Sequence, residues 1–177
     1  MEKFDENLVT MSKQGDMQAF KELIIRHQGK VAGVVKSMLR SAPEADDVGQ
    51  EVFIRFYKAL DKFKGESAVG TYLIRIAINL SLNEIKRKKR SNSFFAREEE
   101  GRAEAVEETD VDTKEMVNSE IRRLDPEFQS VVTLRMIEGY STQETAKILG
   151  VPLGTVLSRL SRAQKKLKVG LERRGGT

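Results

Sequence analysis

The sequence predicts an all-α protein: two small helical domains joined by a flexible acidic linker. Three observations predict it. Apolar residues recur at three- and four-residue spacing along most of the chain, the period of a helix face rather than of a strand. The three prolines, Pro43, Pro126 and Pro152, all stand where an apolar pattern ends or restarts, so none interrupts a helix. Charge divides the chain into blocks, with net +5 over residues 1–90, −6 over 91–115 and +5 over 116–177. Two basic modules can face a polyanion, and the acidic stretch between them cannot.

The composition excludes several classes of function. Of 177 residues, 33% are charged and 39% hydrophobic, with no apolar run long enough to span a bilayer, so no integral membrane segment is expected. Without cysteine there is no disulfide framework, thiolate nucleophile or cysteine-based zinc site, and a single histidine cannot build a multi-histidine metal site. No metal, cofactor or catalytic residue is expected. The N-terminal MEKFDENLVTMSKQGD lacks the apolar core of a signal peptide, which makes the cytoplasm the expected location.

In the first block, Asp16 is a natural N-cap for a helix carrying Phe20, Leu23, Ile24, Val31, Val34, Val35, Met38 and Leu39 at helical spacing. His27 falls on this stripe and reads as a packed residue. Ser41-Ala42-Pro43 closes the first helix and opens a second. The second helix places Val48, Val52, Phe56 and Leu60 on one face and Asp47, Glu51 and Arg55 on another, where i,i+4 ion pairs or a binding surface are both consistent with the spacing. Residues 65–90, GESAVGTYLIRIAINLSLNEIKRKKR, pair a loop with a helix apolar almost all round, which must be central to its domain. Its polar stripe is Arg75, Asn79, Asn83 and Lys86 or Arg87, running into a cationic end suited to a phosphate backbone. Phe63 and Tyr72 bracket a polar loop with two glycines, a composition able to hold an unstacked base; aromatics there also serve as core.

Residues 91–113, SNSFFAREEEGRAEAVEETDVDT, have few sizeable apolar residues and clustered like charges, and read as a mobile spacer. A solvated helix over residues 94–108 is the alternative. Beyond it, Asp125-Pro126-Glu127 reads as a helix start and Gly139 as a stop. Ser141 and Glu144 form an S-x-x-E capping box, Gly150-Val151-Pro152 a tight turn, and residues from Gly154 a longer helix whose inward side is Val156, Leu160, Ala163 and Leu167. This is a helix-turn-helix pattern. The outward side of its second helix offers Ser158, Arg159, Ser161, Arg162, Lys165 and Lys166, all donors for phosphates and guanine edges.

Taken in order, these segments resemble the extracytoplasmic-function (group IV) sigma factors of the bacterial sigma-70 family over nearly the whole chain. PEADDVGQEVFIRFYKAL and GTYLIRIAINLSLNEIKRKKR look like the family's region 2, and LDPEFQSVVTLRMIEGYSTQETAKILGVPLGTVLSRLSRAQKKL looks like region 4. The resemblance implies region 2 over residues 1–90, the linker over 91–113 and region 4 over 114–177. It implies a dissociable specificity subunit whose partners are core RNA polymerase and promoter DNA, and which an anti-sigma factor commonly restrains. The face matching Asp46, Asp47, Gln50, Glu51 and Arg55 would dock on the clamp helices of the largest polymerase subunit, with the polymerase flap a further contact. Phe63, Ser67, Tyr72, Arg75, Asn79, Asn83 and Arg87 would open and read the minus-10 element. Thr155, Ser158, Arg159, Ser161, Arg162 and Lys165 would read the minus-35 element. The chain departs from the family at Tyr72, where Trp is usual, at Gly70, where a bulkier residue is usual, and at Leu157 and Gln164, where relatives often carry a cation.

Two other readings fit parts of the chain. A stand-alone helix-turn-helix regulator would use the same C-terminal motif, but it leaves the first block unexplained. A metal-dependent nuclease would need more convergent ligands than Asp46, Asp47 and Glu51 on one helix supply.

Overall fold

The computed structural model describes residues 2–39, 41–95 and 113–175, and all its regular elements are helical. Helices α1 (Glu2–Lys13), α2 (Met17–Met38), α3 (Ala42–Ala59) and α4 (Val69–Phe95) form the first module; a 3-10 turn, Leu60–Lys62, follows α3. Helices α5 (Thr113–Arg123), α6 (Pro126–Val132), α7 (Thr142–Leu149) and α8 (Leu153–Gly175) form the second, with a π turn, Thr133–Ile137, between α6 and α7. The spacer assigned to residues 91–113 lies largely outside the described residues, as does most of the alternative helix over 94–108; the α4 backbone continues five residues past the expected end at Arg90.

Local chemistry explains the boundaries. Asp16 accepts hydrogen bonds from the amides of Gln18 and Ala19 and so caps α2. Pro43 sits in the first turn of α3, where its missing N–H costs nothing. Helix α2 runs through the first module, touching α1, α3 and α4. Leu23, Val34, Val35, Val52, Phe56, Leu73, Ile74, Ala77 and Ile78 are fully buried between them. The expected centrality of the apolar helix is thus observed in α4.

Helix α1 did not emerge from the sequence reading. It packs on α2 through Leu8 and Val9, and its Asp5 carboxylate, 6% exposed, accepts hydrogen bonds from Arg26 Nε at 3.1 Å and His27 Nε2 at 2.9 Å. Charge pairing makes that burial tolerable. The imidazole also lies against position 70, where a Cβ would stand 3.4 Å from His27 Cε1, in ordinary van der Waals contact.

The second module has its own apolar cluster of Ile121, Leu124, Phe128, Val132, Ala163 and Leu167. Leu134 and Ile148 do not join it. They are buried in the cluster of the first module, so the two modules pack directly on one another.

Candidate nucleic-acid interface

Gly65, at φ +72°, turns the loop between the 3-10 turn and α4. Lys13 Nζ donates to the Phe63 carbonyl at 2.7 Å, tying this loop to α1. The loop and the start of α4 enclose an open pocket of about 390 Å³ lined by Lys62, Phe63, Lys64, Glu66, Ser67, Tyr72 and Arg75. Three cations against one carboxylate, with a serine hydroxyl and two rings, leave a net positive lining that suits an anionic, aromatic ligand. Of the two roles the sequence leaves open for Phe63, its burial fits the core one: it is 9% exposed, edge-on to Phe56 at 5.8 Å and to Tyr72 at 5.1 Å. It forms the pocket's inner wall, and half-buried Tyr72 supplies the more accessible ring.

Arg75, Asn79, Asn83 and Arg87 lie exposed at four-residue intervals along α4, as the spacing required. Their surroundings differ. Arg87 donates to both carboxylate oxygens of Glu84, at 3.0 and 2.7 Å, which holds its pKa above the usual arginine value. Arg75 Nη2 donates to the Lys147 carbonyl of α7 at 2.7 Å, so the second module engages this side chain. The nearby cation Lys88 pairs with Glu44 of α3.

On α3, Asp46, Asp47, Gln50 and Arg55 are exposed and Glu51 is half-buried, with Arg55 Nε donating to Glu51 at 2.8 Å. Beside them runs an apolar groove that the sequence reading missed. Met17 (57% exposed), Ile54 (46%) and Tyr57 (47%) line it with Phe20, Ile24 and Phe53. Its signal was there: Ile54 and Tyr57 are apolar positions off the stripe of Val48, Val52 and Phe56.

In the second module, Glu144 N–H donates to Ser141 Oγ at 3.2 Å, and Ser141 N–H donates to the Glu144 carboxylate at 2.7 Å. These reciprocal bonds complete the capping box and hold Glu144 below the usual carboxylate range. Gly150, at φ +65°, makes the turn into α8. Helix α8 buries Val156, Ala163 and Leu167 and half-buries Leu160. The outward donors then separate into two sets. Arg159 donates to Glu127 at 3.2 Å and Lys166 to Asp125 at 2.8 Å, the latter bond lowering the Asp125 pKa. Both cations therefore brace α8 against the start of α6. Ser158, Ser161, Arg162 and Lys165 are exposed and Thr155 half-buried; Ser158 donates only to the Thr155 carbonyl, and Arg162 and Lys165 make no ion pair among the described residues.

No group of three or more histidine and carboxylate side chains among the described residues is placed to hold a metal ion, and no described helix is long and apolar enough to cross a membrane.

Residues 23–91 match the Sigma-70 region 2 family and residues 114–167 the Sigma-70 region 4 family. Over 177 aligned residues the chain is 36% identical to the ECF RNA polymerase sigma-E factor of Haemophilus influenzae, with 93% of each chain covered. The chain belongs to the extracytoplasmic-function sigma factors of the sigma-70 family. The RNA polymerase sigma-H factor of Pseudomonas aeruginosa is 33% identical, with 95% of this chain and 94% of that one covered. Among solved structures, CnrH in complex with the cytosolic domain of CnrY is 26% identical, with a TM-score of 0.72 over 96% of this chain and 98% of that one. RpoE in complex with the anti-sigma factor NepR from Bartonella quintana, 19% identical, shares the fold with a TM-score of 0.69 over 86% of this chain and 96% of that one. As a sigma factor the chain directs core RNA polymerase to promoters and helps to open them. Sigma factors are initiation factors rather than enzymes.

Proposed function

We propose a residue-level division of labour for this sigma factor, with region 2 over residues 1–90 and region 4 over 114–177. The acidic face of α3, Asp46, Asp47, Gln50, Glu51 and Arg55, docks on the clamp helices of the largest polymerase subunit. The adjoining groove of Met17, Ile54 and Tyr57 supplies the apolar centre that a protein interface needs beside a charged rim. The flap meets the second module, where Met136 and Ile137 on the π turn are 55% and 41% exposed. Initiation takes place in the cytoplasm, the chain itself contributes no covalent step, and an anti-sigma factor is a further partner able to use the same exposed apolar surfaces.

The minus-10 element is opened by capture rather than by chemistry. A base that leaves the stack enters the loop pocket beside Tyr72, with Ser67 for its polar edge and Phe63 behind the ring, while Arg75, Asn79, Asn83 and Arg87 follow the backbone of the same strand. Unstacking costs a few kcal/mol, which stacking and phosphate contacts offset. The minus-35 element is read in the major groove by α8, through Ser158, Ser161, Arg162 and Lys165 with Thr155 at its start. Arg159 acts at one remove, by fixing α8 against Glu127. Each module binds weakly alone, and polymerase makes the second contact effectively intramolecular by fixing both.

The single observation that carries this reading is the loop pocket, with its two rings, three cations and serine at the head of the stripe on α4. Permanganate probing of unpaired thymines in polymerase–promoter complexes tests it. Tyr72→Ala is expected to bind core polymerase normally while losing most minus-10 reactivity. Unchanged reactivity would remove the pocket from the mechanism.

A further inference from the structure

Helix α1 lies ahead of residues 23–91, the stretch that matches region 2, yet it reaches the loop that forms the pocket beside Tyr72. It ends at Lys13, whose ammonium donates to the Phe63 carbonyl at 2.7 Å. Among the described residues this is the one hydrogen bond from the loop, residues 63–68, to an element not adjoining it. The Phe63 amide bonds back to Leu60 in the 3-10 turn, and the Ala68 carbonyl accepts from Tyr72 at the start of α4. Between them Lys64, Gly65 and Glu66 are exposed, so the tip of the loop has no apolar anchor of its own. A loop with so few internal contacts keeps one shape only where something outside holds it.

Helix α1 is itself firmly held. Leu8 and Val9 are buried in the core, and the Asp5 carboxylate accepts from Arg26 Nε and His27 Nε2. The His27 ring in turn lies beside Gly70, just past the other end of the loop. One helix therefore meets both ends of the loop, through Lys13 at Phe63 and through Asp5 and His27 at Gly70. The Phe63 carbonyl and ring belong to one residue, so fixing the carbonyl also fixes the ring that forms the inner wall of the pocket. A charged donor makes the stronger kind of hydrogen bond to a carbonyl.

We propose that α1 is a strut for this loop and Lys13 a positioning residue for strand opening: by holding the Phe63 carbonyl it keeps the pocket formed before a base leaves the stack. This rests on the assignment of the pocket to the minus-10 element. If release of the carbonyl leaves the pocket formed about one time in ten, the apparent affinity for a minus-10 strand falls about tenfold. Lys13 is an exposed cation, so the rival role is direct contact with a phosphate. The two roles differ in salt dependence. A phosphate contact on a single strand adds about 0.7 to the slope of log affinity against log salt, and a positioning residue adds nothing.

The test uses polymerase assembled with the full chain, and a fluorescent single strand carrying the minus-10 sequence of a promoter from which that polymerase initiates. Lys13→Met keeps the reach of the side chain and removes the donor. The variant should fold and bind core polymerase as the wild type does, because the side chain is exposed. Its affinity for the strand should fall about tenfold with the salt slope unchanged. Tyr72→Ala and the double variant complete a cycle: if Lys13 acts through the pocket, the double variant should bind within about twofold of Tyr72→Ala alone. A slope reduced by about 0.7, or losses that multiply in the double variant, makes Lys13 an independent contact and overturns the strut. Wild-type affinity in Lys13→Met beside a weakened Tyr72→Ala overturns the strut and leaves the pocket standing. Wild-type affinity in Tyr72→Ala overturns the pocket reading, and the strut falls with it.

Discussion

Arg162→Ala should separate recognition from stability more cleanly than any other change in α8. The guanidinium is exposed and makes no ion pair among the described residues, so its removal leaves no buried partner uncompensated, and the melting temperature should not move. An arginine in contact with a base edge is worth about 1 to 3 kcal/mol, so promoter binding should fall by roughly 5- to 150-fold, with discrimination weakened at one position of the upstream element. Arg159→Ala is the control. Its guanidinium is braced by Glu127 and only 25% exposed, so the cost should appear in the melt, within the ~0–1 kcal/mol of a surface ion pair. The assay is competition among promoters carrying each single-base change in the upstream element, with polymerase assembled on wild-type or variant sigma, beside a thermal melt of the free proteins. An Arg162→Ala protein that keeps the wild-type ranking of promoters would refute the reasoning.

Three further outcomes follow from the packing. Phe56→Ala removes a fully buried ring that touches Phe20, Phe63 and Tyr72, and should cost about 3 to 5 kcal/mol in urea denaturation, leaving a marginal fold with a collapsed loop pocket. Gly150→Ala places a side chain at φ +65° and should destabilise the helix-turn-helix by about 1 to 2 kcal/mol, measured by thermal melting. Glu138 sits half-buried between Lys30 on α2 and Tyr140 beside it, with Glu144 a turn further on; desolvation raises its pKa and Lys30 opposes the shift only in part. The folded chain therefore carries a cost for ionised Glu138 at neutral pH, and that cost is relieved as pH falls through the raised pKa toward the usual carboxylate value. In thermal melts Glu138→Gln should be more stable than the wild type at neutral pH, and the gap should narrow as pH falls toward the usual carboxylate value. The lowered pKa values of Asp125 and Glu144 act oppositely, and only at more acidic pH, where their contributions are lost as the carboxylates protonate.

Most helices were legible because each had an apolar face of its own and a chemical start signal: Asp16 for α2, Pro43 for α3, Pro126 for α6 and the Ser141–Glu144 box for α7. Helix α1 was not, although its buried positions Asp5, Leu8, Val9 and Ser12 keep helical spacing. Two of the four are polar, so the stripe is invisible to hydropathy, and its logic appears only when Arg26 and His27 are seen to satisfy Asp5. The π turn shows no sequence signal because it is a one-residue insertion in helical hydrogen bonding rather than a change of composition. The donor stripe on α4 was legible residue by residue, yet which of its members are engaged was not. Arg75 meets Lys147 and Gln129 meets Met38 across 72 and 91 residues of sequence, and no periodicity reports a contact between separate modules. The same holds on α8, where acids outside the helix decide which cations face outward.

Transcription in vitro with core RNA polymerase on a library of randomised promoters, with and without the purified chain, tests the central claim most directly. The account predicts initiation that depends on the chain, at promoters sharing two spaced elements, with the upstream preference altered by Arg162→Ala and opening lost with Tyr72→Ala. Sequence-specific binding to a symmetric site without polymerase, with no initiation in its presence, would contradict it.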